Sequence, residues 1–234
     1  KCGLSNQIIK LYSEKYNTNK YLYLTLDKNL DNKNKISNIK NIDIFKKNNF
    51  KIVYTNNDYL DFSSYSDFFL NKINKKNNDI LLFMNSSVST DFNVPIIDNY
   101  VDYFNKNLDV GLFGISSNSK KYQSIIVNNF NPHIQSLFFI TTTNILHEVM
   151  KINNNIFPGL NSTKKNKYSL ILNGEIKLSE IVLKLGYKIA VINEYGKVNK
   201  FGNKGFLKNR SSWPNNQNDM RLNSNYPSQT NIIL

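Results

Sequence analysis

The chain has 234 residues with 30 Lys+Arg against 17 Asp+Glu, a formal net charge of +13, and it is 40% hydrophobic and 13% aromatic. That is enough apolar content for one sizeable core and too much for a disordered chain. The single cysteine, Cys2, excludes an intramolecular disulfide framework and a cysteine-based zinc site, and two histidines exclude a His-rich metal centre.

In chain order, residues 20–26 and 51–54 read as strands, with an Asn/Lys-rich stretch at 28–49 between them that predicts loop and one short helix. Ser63-Ser64 predicts a helix cap, followed by Tyr65, Phe68, Phe69 and Ile73 at helical spacing. The continuous apolar run at 80–84 predicts a central parallel strand buried on both faces. Pro95 suits a first helical turn, with Ile96, Ile97, Tyr100, Val101 and Phe104 on one face. A strand follows at 110–114, then an irregular stretch at 115–132. Residues 137–140 predict a strand leading into a helix capped by Thr142 or Thr143, with Ile145, Leu146, Val149 and Met150 inward. A helix is expected over 175–185, stopped by Gly186, and a strand over 187–192.

From Asn193 the sequence is polar and turn-rich. The expectation is a single domain over 1–234, with an α/β body at 1–192 and an irregular segment at 193–234 that acts as a lid or an oligomer contact. Alternating strands and helices predict an α/β fold with a mostly parallel sheet flanked by helices. No apolar run reaches the length of a membrane span and no apolar leader opens these residues, so the expectation is a cytoplasmic protein.

The charge is a weaker clue than its size suggests. Of the basic residues 28 are Lys and only Arg210 and Arg221 are Arg, while there are 42 Asn and a single Ala, Ala190. An AT-rich coding sequence produces that bias without any selection for nucleic-acid contacts, which favour Arg. The lysines are also dispersed along the chain, so no nucleic-acid partner is expected.

In open α/β sheets ligands bind beyond the carboxyl ends of the strands. The polar clusters placed there are Asp58 to Tyr65, Asn85-Ser86-Ser87-Val88, His133-Ile134-Gln135-Ser136 and Asn173-Gly174-Glu175. No phosphate-loop, dinucleotide, metalloprotease or nucleophile-elbow motif occurs. Asp58–Tyr65, Asp79–Val88, His133–Phe139 and Glu175–Tyr187, taken in order, resemble the GT-A-like glycosyltransferases of the rhamnan-synthesis and hexosyltransferase-like group. The resemblance covers the middle half of the chain, and Ser89-Thr90-Asp91 departs from the Arg-Gly-Pro that the group carries after Asn-Ser-Ser-Val.

The resemblance implies a GT-A-like, Rossmann-like fold. It implies transfer of a hexose or deoxyhexose from a nucleoside-diphosphate sugar donor to a hydroxyl on a glycan or glycoconjugate acceptor. Asp61, Asn85, Ser86 and Ser87 would hold the donor, and His133 and Gln135 the diphosphate or sugar. Glu175, or its rival Asp91, would be the general base of an inverting transfer. GT-A folds place an acidic metal-binding pair where this chain has Asn85-Ser86-Ser87. Transfer is then either metal-independent, with Lys supplying charge, or Asp91 becomes the ligand of a Mn²⁺ or Mg²⁺ ion. Two other readings stay open: an inactive nucleotide-sugar or glycan-binding module, and a Lys-rich nucleic-acid-binding protein. Helix caps are the plain structural alternative for Asn85 and Glu175, and core packing for Tyr65 and His147.

Overall fold

The structure, a computed structural model, describes residues 23–27, 51–56, 58–73, 78–85, 97–120, 130–155, 157, 167–192, 198–202 and 219–221. The stretch at 28–49, Ser86, Ser87, Asp91 and Pro95 lie outside them. Strand β1 (Tyr23–Asp27) pairs in parallel with β2 (Lys51–Thr55). Helix α1 (Asp61–Lys72) leads to β3 (Ile80–Met84), then α2 (Ile97–Lys106) to β4 (Val110–Gly114). Strands β5 (Ser116–Lys120) and β6 (Phe130–Ile134) precede β7 (Phe138–Thr142) and α3 (Thr143–Asn153). A continuous helical run follows: α4 (Lys167–Leu170), a π-helical turn (Ile171–Ile176) and α5 (Lys177–Lys184). Strands β8 (Lys188–Ile192), β9 (Val198–Phe201) and β10 (Asp219–Arg221) complete the described chain.

The main sheet has the order β3-β7-β4-β8-β9, and a smaller one the order β10-β5-β6. The α/β alternation holds, but the mostly parallel sheet does not. In the main sheet only β4 and β8 pair in parallel, whereas β3–β7, β7–β4 and β8–β9 are antiparallel. Two of these three antiparallel pairs come from one insertion, and the third from β9 turning back beside β8. Strands β3 and β4 run the same way, joined through α2, but β7 returns between them in the opposite sense. Nor is the run at 80–84 a central parallel strand buried on both faces: among the described residues β3 is the edge strand of the main sheet, antiparallel to β7, with Leu81 and Phe83 buried and Ile80, Leu82 and Met84 half-buried. An apolar run says nothing about its neighbours' direction.

Two other expectations are corrected. Residues 116–120 and 130–132 lie in strands within the stretch read as irregular, the second strand continuing to Ile134. The segment after Asn193 is not wholly irregular either, because Val198–Phe201 pairs with β8 and Asp219–Arg221 with β5. Polar residues serve well in edge strands such as β6, β9 and β10, where one side meets water, but β5 is polar in the middle of its small sheet.

Side chains alternate across a strand, so neighbours on β7 report on opposite faces. Phe139 meets the ring of Tyr65 from α1, at 5.8 Å between centroids, while Phe138 meets Tyr100 from α2 at 5.3 Å. Helices α1 and α2 therefore cover opposite faces of the sheet. On the α1 face Phe62, Tyr65, Phe83, Phe139 and Phe157 form one aromatic cluster. Helix α3 joins this side through His147, whose ring stands 5.0 Å from Phe69, in keeping with a structural role. Thr142 caps α3, its Oγ1 accepting from the amide of Ile145 at 3.4 Å.

Among the described residues no helix is long and apolar enough to cross a membrane.

Candidate functional site

The register places the site. Met84 faces Phe138 and Gly114 faces Phe139, so β3 and β4 end where β7 begins. Gly114 also faces Val191 near the end of β8. The carboxyl ends of three strands thus lie at one edge of the sheet, the edge where α/β folds bind ligands.

Helix α1 begins at that edge. Its N-cap is Leu60 rather than a serine, with φ 50° and ψ −134°, a left-handed conformation that strains a leucine. Ser63 accepts instead from the amide of Tyr59 at 2.9 Å, and Ser64 shares a hydrogen bond with Thr55 at the end of β2 at 3.1 Å. These contacts fix Asp61 in the first turn, where a carboxylate also meets the positive end of the helix dipole.

Asn85 follows β3 directly, its amide nitrogen donating to the carbonyl of Leu137 at 3.0 Å. Its side-chain Nδ2 donates to Oδ2 of Asp61 at 2.5 Å. Ser136, in the turn before β7, donates through Oγ to the same Oδ2 at 3.3 Å and through its backbone N–H to Oε1 of Glu175 at 2.7 Å. Asp61, Asn85 and Glu175 come from three distant segments, and the structure brings them together around Ser136.

Glu175 does not open a helix. It lies within a continuous helical run, inside the π-helical turn, so the capping alternative does not apply to it. Such turns are often found at functional sites. Gly174 explains the approach: a Cβ there would stand 2.4 Å from Cε2 of Phe62, so only glycine lets this turn close onto α1.

Beneath the carboxylates lies Tyr65, 7% exposed, whose hydroxyl donates to the carbonyl of Ser136 at 3.0 Å. Burial pushes the phenol well above its ordinary pKa, and the negative charges of Asp61 and Glu175 push it further. Tyr65 is therefore a neutral donor packed into the aromatic cluster, not a stacking platform for a base. His133 is 1% exposed within β6, which excludes a surface position, and Gln135 is half-buried in the turn beside Ser136.

Sequence reasoning singled out His133 and Gln135 from their motif and passed over Ser136. The signal was the motif's own fourth position, the residue just before an apolar strand. Ser179 was missed as well: fully buried on α5, its Oγ accepts from the amide of Ile134 at 3.1 Å and holds β6 against that helix.

The described residues do not suit a divalent cation. No group of three or more His, Cys, Asp or Glu side chains comes together among them. Oδ2 of Asp61 accepts from an amide and a hydroxyl, both neutral groups with their hydrogens turned toward it. The cavity bounded by Phe62, Leu112, Ile134, Ser136, Phe139, Glu175 and Leu178 measures about 10 Å³, the scale of one water. A larger ligand would meet the half-buried rim formed by Asp61, Asn85 and Glu175 rather than that cavity.

A different charged group marks the far end of the sheet. Lys188, at the start of β8, pairs with Asp109 at 2.7 Å, and Lys200 approaches the same carboxylate at 3.4 Å. Lys200 also bonds Asn107 and lies 5.7 Å over the Tyr103 ring. The hydrogen bond from Lys188 is the main influence holding the Asp109 carboxyl below its ordinary pKa.

Comparison with protein-family models, with curated proteins and with solved structures finds no match to this chain.

Proposed function

We propose that the chain is a GT-A-like glycosyltransferase that moves a hexose or deoxyhexose from a nucleoside-diphosphate sugar to a glycan hydroxyl. One observation carries the reading: two carboxylates, Asp61 and Glu175, meet through Ser136 at the carboxyl edge of an α/β sheet. The ordered resemblance described above supplies the reaction class.

In this reading Asp61, oriented by Asn85, accepts hydrogen bonds from a ribose hydroxyl or base N–H of the donor. Ser86 and Ser87 complete the donor contacts, and His133 and Gln135 meet the diphosphate or sugar. Glu175 takes the proton from the acceptor hydroxyl as its oxygen attacks the anomeric carbon. The bond from that carbon to the diphosphate breaks, the nucleoside diphosphate leaves, and the sugar inverts at the new linkage. Asp91 remains the rival base. No step is routed through a metal ion, and the lysine-rich composition favours encounter with an anionic donor.

A thermal-shift panel of UDP, GDP and dTDP, with and without Mn²⁺, tests the proposal. A rise in melting temperature with one nucleotide is expected, whereas no shift with any of them at millimolar concentration would sink it. The amide of Asn85 where related folds carry acid favours a second reading, a binding module without chemistry. Nucleotide binding without sugar transfer, unaltered by Glu175→Gln, would favour that module.

A further inference from the structure

Ser136 makes three polar contacts, and all of them go to the site. Its N–H reaches Glu175 in the π-helical turn at 2.7 Å, its Oγ–H reaches Asp61 on α1 at 3.3 Å, and its carbonyl takes the Tyr65 hydroxyl at 3.0 Å. The residue is 9% exposed, and its turn is pinned at both sides. The Leu137 carbonyl accepts from the amide of Asn85 at the end of β3, and the Ile134 amide donates to Ser179 on α5. The turn therefore cannot shift without disturbing α1, β3 and the helical run together.

We infer that Ser136 is a positioning residue that sets the donor-side carboxylate Asp61 against the base Glu175, the hydroxyl serving the first and the backbone amide the second. The inference deepens the glycosyltransferase reading and rests on it for the roles of the two acids. The division of labour has a consequence. A side-chain substitution at Ser136 removes only the bond to Asp61, because the bond to Glu175 comes from the backbone. Tyr65, through the carbonyl, holds the turn from below and so governs the Glu175 contact.

The test compares wild type, Ser136→Ala and Ser136→Thr, which keeps a hydroxyl, by following the Asp61 and Glu175 carboxyl carbons through a pH titration by NMR. Loss of a hydrogen bond to a carboxylate disfavours its charged form. In Ser136→Ala the Asp61 midpoint should therefore rise while that of Glu175 stays, and Ser136→Thr should restore it. With donor present, Ser136→Ala should raise KM roughly tenfold, the usual scale for one charge-assisted bond, with kcat little changed. An unmoved Asp61 midpoint in folded Ser136→Ala would overturn the inference. So would equal movement of both carboxyls, or a KM rise in Ser136→Thr as large as that in Ser136→Ala. The titration needs no ligand. Wild type that binds no nucleotide therefore overturns the glycosyltransferase reading, while the positioning role still stands or falls on the carboxyl midpoints.

Discussion

Two buried tyrosines, one on each face of the main sheet, show how this protein separates packing from chemistry. Tyr65 on α1 and Tyr100 on α2 both lie against phenylalanines of the central strands, and burial pushes both phenols well above the ordinary pKa. Only Tyr65 uses its hydroxyl, to hold the turn that joins Asp61 and Glu175. The Tyr100 hydroxyl is fully buried with no hydrogen-bond partner among the described residues. On the α1 face a buried phenol holds the polar groups of the candidate site, whereas on the α2 face the Tyr100 phenol serves packing and the polar contact is Lys200 over the neighbouring Tyr103 ring. Burial by itself therefore does not mark the functional side. The partner of the polar atom does.

The comparison can be broken most forcefully at Gly174. An alanine there would drive its Cβ into the ring of Phe62, which is itself held in the aromatic cluster, and overpacking of this kind costs about 1–3 kcal/mol. Urea denaturation of Gly174→Ala should show that loss. A neutral result would mean the helical run does not need its close approach to α1.

Tyr65→Phe should follow, at about 1–2 kcal/mol, because it leaves the buried Ser136 carbonyl without its donor. Tyr100→Phe should go the other way and raise stability by about 1 kcal/mol, since it removes a buried hydroxyl without a partner among the described residues. Equal and same-signed effects of the two substitutions would erase the distinction between the faces.

The smallest effect belongs to the far end of the sheet. The Asp109 carboxyl is held below its ordinary pKa, so its pairing with Lys188 and Lys200 is fully present above the unfolded value of about 3.9. It is lost as pH falls through the lower folded value. With the Asp109 side chain 44% exposed, solvent screening keeps the contribution below about 1 kcal/mol. Asp109→Asn should accordingly lower stability slightly through the neutral region and flatten the acid limb, leaving stability below the folded value almost unchanged.

Much of the body was legible in the sequence because apolar residues keep the period of their element. That 80–84 is a strand, the Thr142 cap with Ile145, Leu146 and Val149 behind it, and Gly186 with φ 94° after α5 follow local rules, whereas the edge position of β3 does not. The reversed β7 was not legible, because an apolar run carries no direction. Asn173-Gly174 reads as a break before a helix, yet the helix continues through it, and the need for glycine comes from Phe62, more than a hundred residues away. Ser136 escaped for the same reason. Serine is common in this chain, and the value of this one lies in partners from α1 and the π-helical turn.

The most direct measurement of the central claim is an amide chemical-shift map with UDP and GDP. Binding at the carboxyl edge predicts perturbations concentrated at Asp61, Asn85, Ser136 and Glu175, with Asp109, Lys188 and Lys200 unmoved. Perturbations gathered at those three far-end residues instead, or none with either nucleotide, would contradict it.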